Sequence, residues 1–364
     1  MKQLRVAAEG LQRASLRLAP LMLGLGIVAA TGLMGGTGFE REVTLTLVLV
    51  VVVIGLYTFI GMTGVLSFGH IAFMAIGAYV TALLTVPVAR KEVLLPNLPA
   101  VLRETVIHPL AAAFVAGLIA ALFGALIGIP LMRLSGLSAA LAFLAVLLIV
   151  HTVAGEWETV TRGHLTMLGV PRETDLLRSL AFAWMAIVGA YVFSESRVGL
   201  RLRASRDDDA GAQAIGVNIG SDRRIALVVS GFIVGIGVFL YGQFLGSFNP
   251  DTFFLTMTFI TVAMLVVGGM NTLSGAVLGT VVVQFVAALL RRIEAGFVLG
   301  PVTIPGRTGL REVGLAILML VILLVRPGGL TGGVEVWRLR FGRKRDRWRA
   351  DAERSGQEAQ EPAA

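Results

Sequence analysis

Apolar runs separated by short polar or charged breaks recur along almost the whole chain, and they set the first reading. Ten such runs centre on residues 18–37, 43–62, 66–86, 109–132, 136–152, 179–194, 225–247, 252–270, 273–290 and 310–325. A transmembrane helix needs about 20 mostly apolar residues to cross a hydrocarbon layer of roughly 30 Å. The pattern therefore predicts an all-α, polytopic integral membrane protein of about 10 transmembrane helices. The 43–62 and 66–86 runs are joined by Gly61-Met62-Thr63-Gly64 without a charge. That stretch reads either as two helices or as one helix followed by a re-entrant or broken segment.

Composition agrees with the pattern. Of 364 residues, 56% are hydrophobic and only 15% charged, against about 25% charged in soluble domains. The net charge of +8 could point to a polyanion, but its distribution does not. The excess sits in the 194–224 loop and in the run at 337–349. Basic residues in such places hold the cytoplasmic side of a membrane protein. With both termini and the 194–224 loop on one side, that side carries 20 of the 31 Lys and Arg. Ten crossings put both termini together as well. The implied organisation is a cytoplasmic N-terminus over 1–17, a membrane domain over 18–330 and a cytoplasmic tail over 331–364, basic at first and then disordered. The basic residues before the first apolar run resemble a signal peptide, yet no small-x-small cleavage site follows, so a retained first helix is expected.

Charged groups inside membrane spans mark ion pathways and proton relays. Apart from Arg311 and Glu312 at the start of the last run, the ten runs hold no Asp, Glu, Lys or Arg, and His70 and His151 are the ionisable candidates at membrane depth. A secondary carrier driven by an ion gradient is disfavoured by this, though carbonyl-lined sodium sites need no carboxylate. Metal chemistry is disfavoured too: cysteine is absent, and His70, His108, His151 and His164 have no HExxH spacing. None of the three lysines ends a phosphate-binding GxxxxGK[ST] loop. If ATP drives this chain, another subunit hydrolyses it, and the chain itself binds no cofactor.

Most of the 44 glycines are read as helix-packing positions. Two clusters that interrupt spans say more, because unwound backbone is tolerated at membrane depth only against protein or water. They are GMTGVLSFGHIAFMAIGAY at 61–79 and VGGMNTLSGAVLG at 267–279. Both carry GM[TN] followed by LS, a faint internal similarity of the kind left by duplicated transporter halves. Gly64, Ser67, Gly69, His70, Asn271, Thr272 and Ser274 become candidates for a substrate path, with a helix-to-helix hydrogen bond as the plainer role for His70. In the 194–224 loop, Asp207, Asp208 and Asp209 precede an alanine-rich stretch ending at Gly216. Acidic residues at the start and glycine at the end describe a short amphipathic helix, of a size that fits a partner's groove.

The first cluster is similar to the GxxxLSxGHxAFxxxGAY pattern of the branched-chain amino acid permease family of ABC importers, closest to its LivM-like branch. RASRDDDAGAQAIGVN at 203–218 resembles the family's cytoplasmic RAxRDxExAAxxxGxN. VVGGMNTLSGAVLG at 266–279 and RPGGL at 326–330 match two further motifs, so the resemblance runs from about residue 43 to 330. It implies an ABC importer permease fold and a coupling role for Arg206, Asp207, Asp209, Ala212, Gly216 and Asn218. It also implies a related second permease subunit, likewise embedded in membrane lipid, two ATP-binding subunits carrying ATP and magnesium, and an extracytoplasmic binding protein. Asp209 and Gly211 depart from the family's Glu and Ala, and Gly is the poorer helix former by about 1 kcal/mol. Similar permeases carry other amino acids, urea or amides, so the motifs leave the cargo open. The competing readings are a stand-alone carrier or channel for a small polar solute and a membrane scaffold.

The charge count makes a prediction. Alkaline phosphatase joined after Ala364 is expected to be inactive, and a fluorescent protein joined there to fluoresce. The opposite pair of results would reverse the orientation.

Overall fold

The structure is a computed structural model that describes residues 2–294, 297–299, 302–304, 309–326 and 328–335. The tail from residue 336 onward, including the basic run and the segment expected to be disordered, lies outside the described residues. Fifteen α-helices follow one another: α1 (Lys2–Met34), α2 (Gly36–Thr63), α3 (His70–Thr85), α4 (Val88–Leu94), α5 (Ala100–Glu104), α6 (Pro109–Leu131), α7 (Gly136–Glu156), α8 (Glu158–Thr161), α9 (Leu176–Glu195), α10 (Arg197–Asp207), α11 (Asp209–Ala214), α12 (Ile219–Leu245), α13 (Leu255–Gly268), α14 (Leu273–Glu294) and α15 (Leu310–Val325). A 3-10 turn at Pro250–Phe253 leads into α13.

By length and hydropathy, eight segments suffice to cross a membrane: α1 from Arg17, α2, α6, α7, α9, α12, the Pro250–Gly268 unit and α14. Taking α3 and α4 as one span, bent by 120° at its break, makes nine among the described residues, against the about ten expected; α15 is apolar but shorter. The undecided 43–86 region is thus two helices with an unwound link at 64–69, and α3 begins only at His70. The element boundaries move as well: α2 starts at Gly36 rather than near 43, and in its first turns the Thr44 and Thr46 hydroxyls bond back to the carbonyls of Glu40 and Glu42.

Burial identifies the axis of the bundle. The most apolar stretch of α2 is 94% buried, against 28% for α1 and α7. The continuous run of Val and Leu from Leu47 to Val53 explains this, since a helix apolar on every face belongs inside. Glycines set how closely its neighbours approach. Gly55 faces Val234 and the Ser230 carbonyl of α12, and Gly237 of α12 faces Val52, so the two helices run antiparallel. Gly117, Gly124 and Gly128 place α6 against α12 along Phe232, Leu227 and Arg224. Small residues allow such approaches where lipid supplies no hydrophobic drive between helices.

Two short antiparallel ribbons are the exceptions to the helical fold. β1 (Met167–Leu168) pairs with β2 (Ser247–Phe248) at the end of the bundle remote from the 194–224 loop, and β3 (Phe297–Leu299) pairs with β4 (Val302–Ile304). At that remote end, Lys91 is buried and donates to the Leu102 and Thr105 carbonyls, tying α4 to α5. His151 bonds Asp251 at 3.0 Å and stacks on Phe254. His151 therefore sits at the end of its span and leaves no relay through it.

The tightest approach is between α13 and α14, where a Cβ on Gly268 would run into the Gly275 carbonyl. Gly268→Val is expected to lower stability by about 3 kcal/mol or more, as overpacking against backbone does. Gly189→Ala in α9, where a Cβ meets nothing within 4 Å, should change it by less than about 1 kcal/mol. Thermal unfolding in detergent measures both. Equal midpoints for the two variants would contradict the packing account.

Candidate functional site

Both glycine clusters lie at the same end of the bundle as the 194–224 loop. Gly61 closes α2 against the Met270 carbonyl, where there is no room for a Cβ. Each cluster is a helix, a break and a returning helix. The first break falls between the second and third crossings and the second between the eighth and ninth.

In the first cluster, Gly64 ends α2 in the left-handed region at φ 71°. The chain then runs without helical bonds to Gly69, whose Cα passes directly against the Phe143 carbonyl of α7. Ser67 and His70 are each 1% exposed. The Ser230 hydroxyl donates to the Gly55 carbonyl at 2.6 Å, so its oxygen accepts from His70 Nε2 at 2.9 Å. His70 Nδ1 then accepts from the Ser67 hydroxyl at 2.6 Å. A neutral imidazole protonated on Nε2 satisfies every one of these bonds. Phe59, Phe73 and Phe143 surround the ring at centroid distances of 5.2, 5.4 and 5.9 Å. His70 is the joint that fastens the unwound link, α2 and α12 together.

The second cluster is tied down from the C-terminal side. Thr272 accepts from Gly275 N and bonds Thr331 at 2.9 Å, and Thr331 in turn donates to the Gly268 carbonyl. The Glu335 carboxylate caps α14, accepting from Leu273 N, Ser274 N and Ser274 Oγ at 2.8, 3.1 and 2.7 Å. A carboxylate at a helix N-terminus meets both orphan N–H groups and the positive end of the dipole. Asn271 is exposed at the turn. Glu335 was invisible to motif reading, because its partner lies some 60 residues away in sequence.

The loop differs from the single short helix expected. It contains two helices, α10 and α11, broken at Asp208, whose side chain caps α11 by accepting from Gly211 N at 2.9 Å. Gly216 turns the chain at φ 84°, and Asn218 caps α12 by accepting from Ser221 N at 3.1 Å. Ala212 is buried, while Asp207 is exposed beside Arg206.

Three ion-pair or charge-assisted contacts weld this pair of helices to the core. Arg206 donates to the Gly61 carbonyl of α2 at 2.7 Å, and its stem lies where a side chain on Gly64 would be. Arg201 makes a bidentate pair with Asp222 of α12, both bonds at 2.7 Å, which raises the Arg201 pKa above its ordinary value. On α12, Arg223 Nη2 donates to both oxygens of Asp209 at 3.0 and 3.1 Å. The two-nitrogen fork of Arg201 on Asp222 fixes orientation as well as distance. Arg201, Asp222 and Arg223 were not among the expected residues. The signal was present as opposite charges spread over the loop and the first turn of α12, but spacing alone does not pair them.

A cavity of about 780 Å³ opens between the unwound link, the start of α7 and this loop, and Gly64, Phe68, Arg206, Asp209 and Arg223 are among its lining residues. Ser67 and His70 do not line it. Among the described residues, no group of three or more His, Asp or Glu is arranged to hold a metal.

A bundle of this kind, with glycine-walled breaks and a braced pair of helices at one end, defines a multi-pass membrane permease. The model of the family described as "Branched-chain amino acid transport system / permease component" matches residues 39–325, and the chain belongs to that family. It is the membrane permease subunit of an ABC importer, a transport subunit and not an enzyme. Among curated proteins it is 23% identical to the high-affinity branched-chain amino acid transport system permease protein LivM of Salmonella typhimurium, over 74% of this chain and 68% of that one. It is 30% identical to LivH of Escherichia coli over 42% of this chain and 46% of that one. It is also 30% identical to the nucleoside ABC transporter permease protein NupC of Lactococcus lactis over 35% and 40%. No solved structure matches it significantly.

The His70 joint gives a test. His70→Leu leaves the buried Ser67 hydroxyl without its partner and removes the donor to the Ser230 oxygen, although Ser230 keeps its bond to the Gly55 carbonyl; an unsatisfied buried group costs about 1–3 kcal/mol. A loss of about 3 kcal/mol in detergent unfolding is expected. His70→Asn, which keeps a donor and an acceptor, should recover part of it. An unchanged midpoint in the leucine variant would remove His70 from this role.

Proposed function

We propose that this subunit carries branched-chain amino acids, or a related small amino acid or amide, across a bacterial or archaeal cytoplasmic membrane with both termini inside. It works beside a related permease chain, and two ATP-binding subunits bind below. An extracytoplasmic binding protein delivers cargo to the remote end. The membrane domain occupies 18–330, and residues 194–224 form the coupling loop. The observation that carries this reading is the welding of α10 and α11 to α2 and α12 through Arg206, Arg201–Asp222 and Arg223–Asp209. A push on that pair of helices is passed to the two most central helices as a rigid movement, which is what alternating access driven from outside the membrane requires.

Arg206, Asp209, Ala212, Gly216 and Asn218 set the shape of the docking element, and Asp207 offers its exposed carboxylate to a partner. The substrate-path candidates divide. Gly64 borders the 780 Å³ cavity and keeps a path role, whereas Ser67, His70, Thr272 and Ser274 serve best as fasteners of the two breaks. ATP and magnesium are held by the partner subunits. The LivM and LivH similarities support an amino acid as cargo, and NupC marks how far the cargo of similar permeases extends.

Coupling variants test the reading in the assembled complex. Asp209→Leu removes the Arg223 clamp, and Gly216→Val forces a β-branched residue to φ 84°. Both should still copurify with the ATPase subunits and hydrolyse ATP, while uptake of labelled leucine falls at least tenfold. Normal uptake by both would sink the coupling assignment.

A further inference from the structure

A lateral groove of about 520 Å³ opens between α1, α2 and α14, in the half of the bundle remote from the 194–224 loop. Its α14 wall runs from Val281 to Arg292, about 16 Å at 1.5 Å per residue. The hydrocarbon layer is roughly 30 Å thick, so the groove has the depth of one leaflet. Most of the lining is apolar, with Val28, Val43 and Phe285 among its side chains.

Gln284 is the exception at depth. It is 3% exposed, its amide makes no hydrogen bond among the described residues, and neither amide atom is sealed off from the groove it lines. Lipid tails accept no hydrogen bond, so an amide left facing them is unfavourable. The occupant has to bring an acceptor well below the rim. The nearby Thr31 and Thr46 hydroxyls are spent on the Val28 and Glu42 carbonyls of their own helices. At the rim, Arg291 is neutralised by Glu42, whereas Arg292, about 12 Å above Gln284 along the helix, is exposed and makes no ion pair among the described residues. From the rim inward the groove therefore offers a free cation, a free amide and a hydrocarbon slot.

A phospholipid presents the complements in the same order: phosphate, ester carbonyl, acyl chain. A helix of a neighbouring chain fits poorly. With side chains it is 10–12 Å across and over this length would displace roughly 1,500 Å³, about three times the space between α1 and α14.

We propose that this groove holds one phospholipid of the leaflet remote from the 194–224 loop. Its phosphate would rest on Arg292, an ester carbonyl would accept from Gln284 Nε2, and an acyl chain would lie against Val43 and Phe285. The span of α1 is only 28% buried, and the lipid supplies a contact between α1 and α14. The site is independent of the cargo and of the coupling loop, so it goes beyond the transport reading.

The test uses the complex of permease and ATPase subunits, extracted in mild detergent and washed exhaustively. Native mass spectrometry should find one phospholipid per copy of this chain in the wild type. Gln284→Leu, which removes the amide at similar volume, and Arg292→Gln should each retain at least tenfold less. A photoreactive phenylalanine analogue in place of Phe285, whose ring is 67% exposed, reads the occupant directly. In the washed complex it should cross-link to phospholipid, and the same analogue in place of Phe114, an exposed ring on α6 outside the groove, should not. Since this cross-link leaves Gln284 and Arg292 unaltered, misfolding of their variants does not protect the proposal. Cross-linking from position 285 to the second permease subunit, no cross-link there, a washed wild type free of lipid, or wild-type retention by both variants would each overturn it.

Discussion

Backbone that leaves the helix inside a lipid-embedded bundle must find its hydrogen bonds in the protein, and residues 64–69 impose that demand on everything around them. The link runs at depth between α2 and α3, so it is walled by α7 at Gly69 and fastened by His70 to Ser67 and, through Ser230, to α2. The Phe59, Phe73 and Phe143 rings that enclose the imidazole keep this joint dry. A dry joint between α2 and α12 makes those helices move together. Helices α10 and α11 are attached to the same two helices.

Mechanical continuity follows from that arrangement. Arg206 reaches the last turn of α2, and Asp222 and Arg223 belong to the first turns of α12. The two attachments flank the cavity at the loop end, with Gly64 in its wall. The second break is braced separately, by Thr331 and Glu335 from the segment after α15. The energy needed to move these elements enters from outside the spans, whose described cores contain polar fasteners but no fixed charge of their own.

Some of this was legible from the chain alone for a definite physical reason. Lipid imposes a length and an apolar content on every crossing, so ten runs appeared without knowledge of any contact. The resolution of 43–86 into two helices was half visible, since glycine and a missing charge mark a break but do not say where the next helix starts. His70 and Ser67 were singled out by type, and their role as fasteners required the position of Ser230, 160 residues away. The short helix expected between the three aspartates and Gly216 corresponds to α11, and the helix before it, α10, was not expected, because local sequence does not say which of three adjacent aspartates caps.

What the sequence by itself determined was the solvent of this protein, its multi-pass helical character and the family to which its motifs belong, because hydropathy and motif order are local properties of the chain. Tertiary structure alone decided which polar groups are fasteners and which are left available. Arg201 found Asp222, and Glu335 found the start of α14. Those outcomes depend on distances between helices remote in sequence, and no periodicity encodes them.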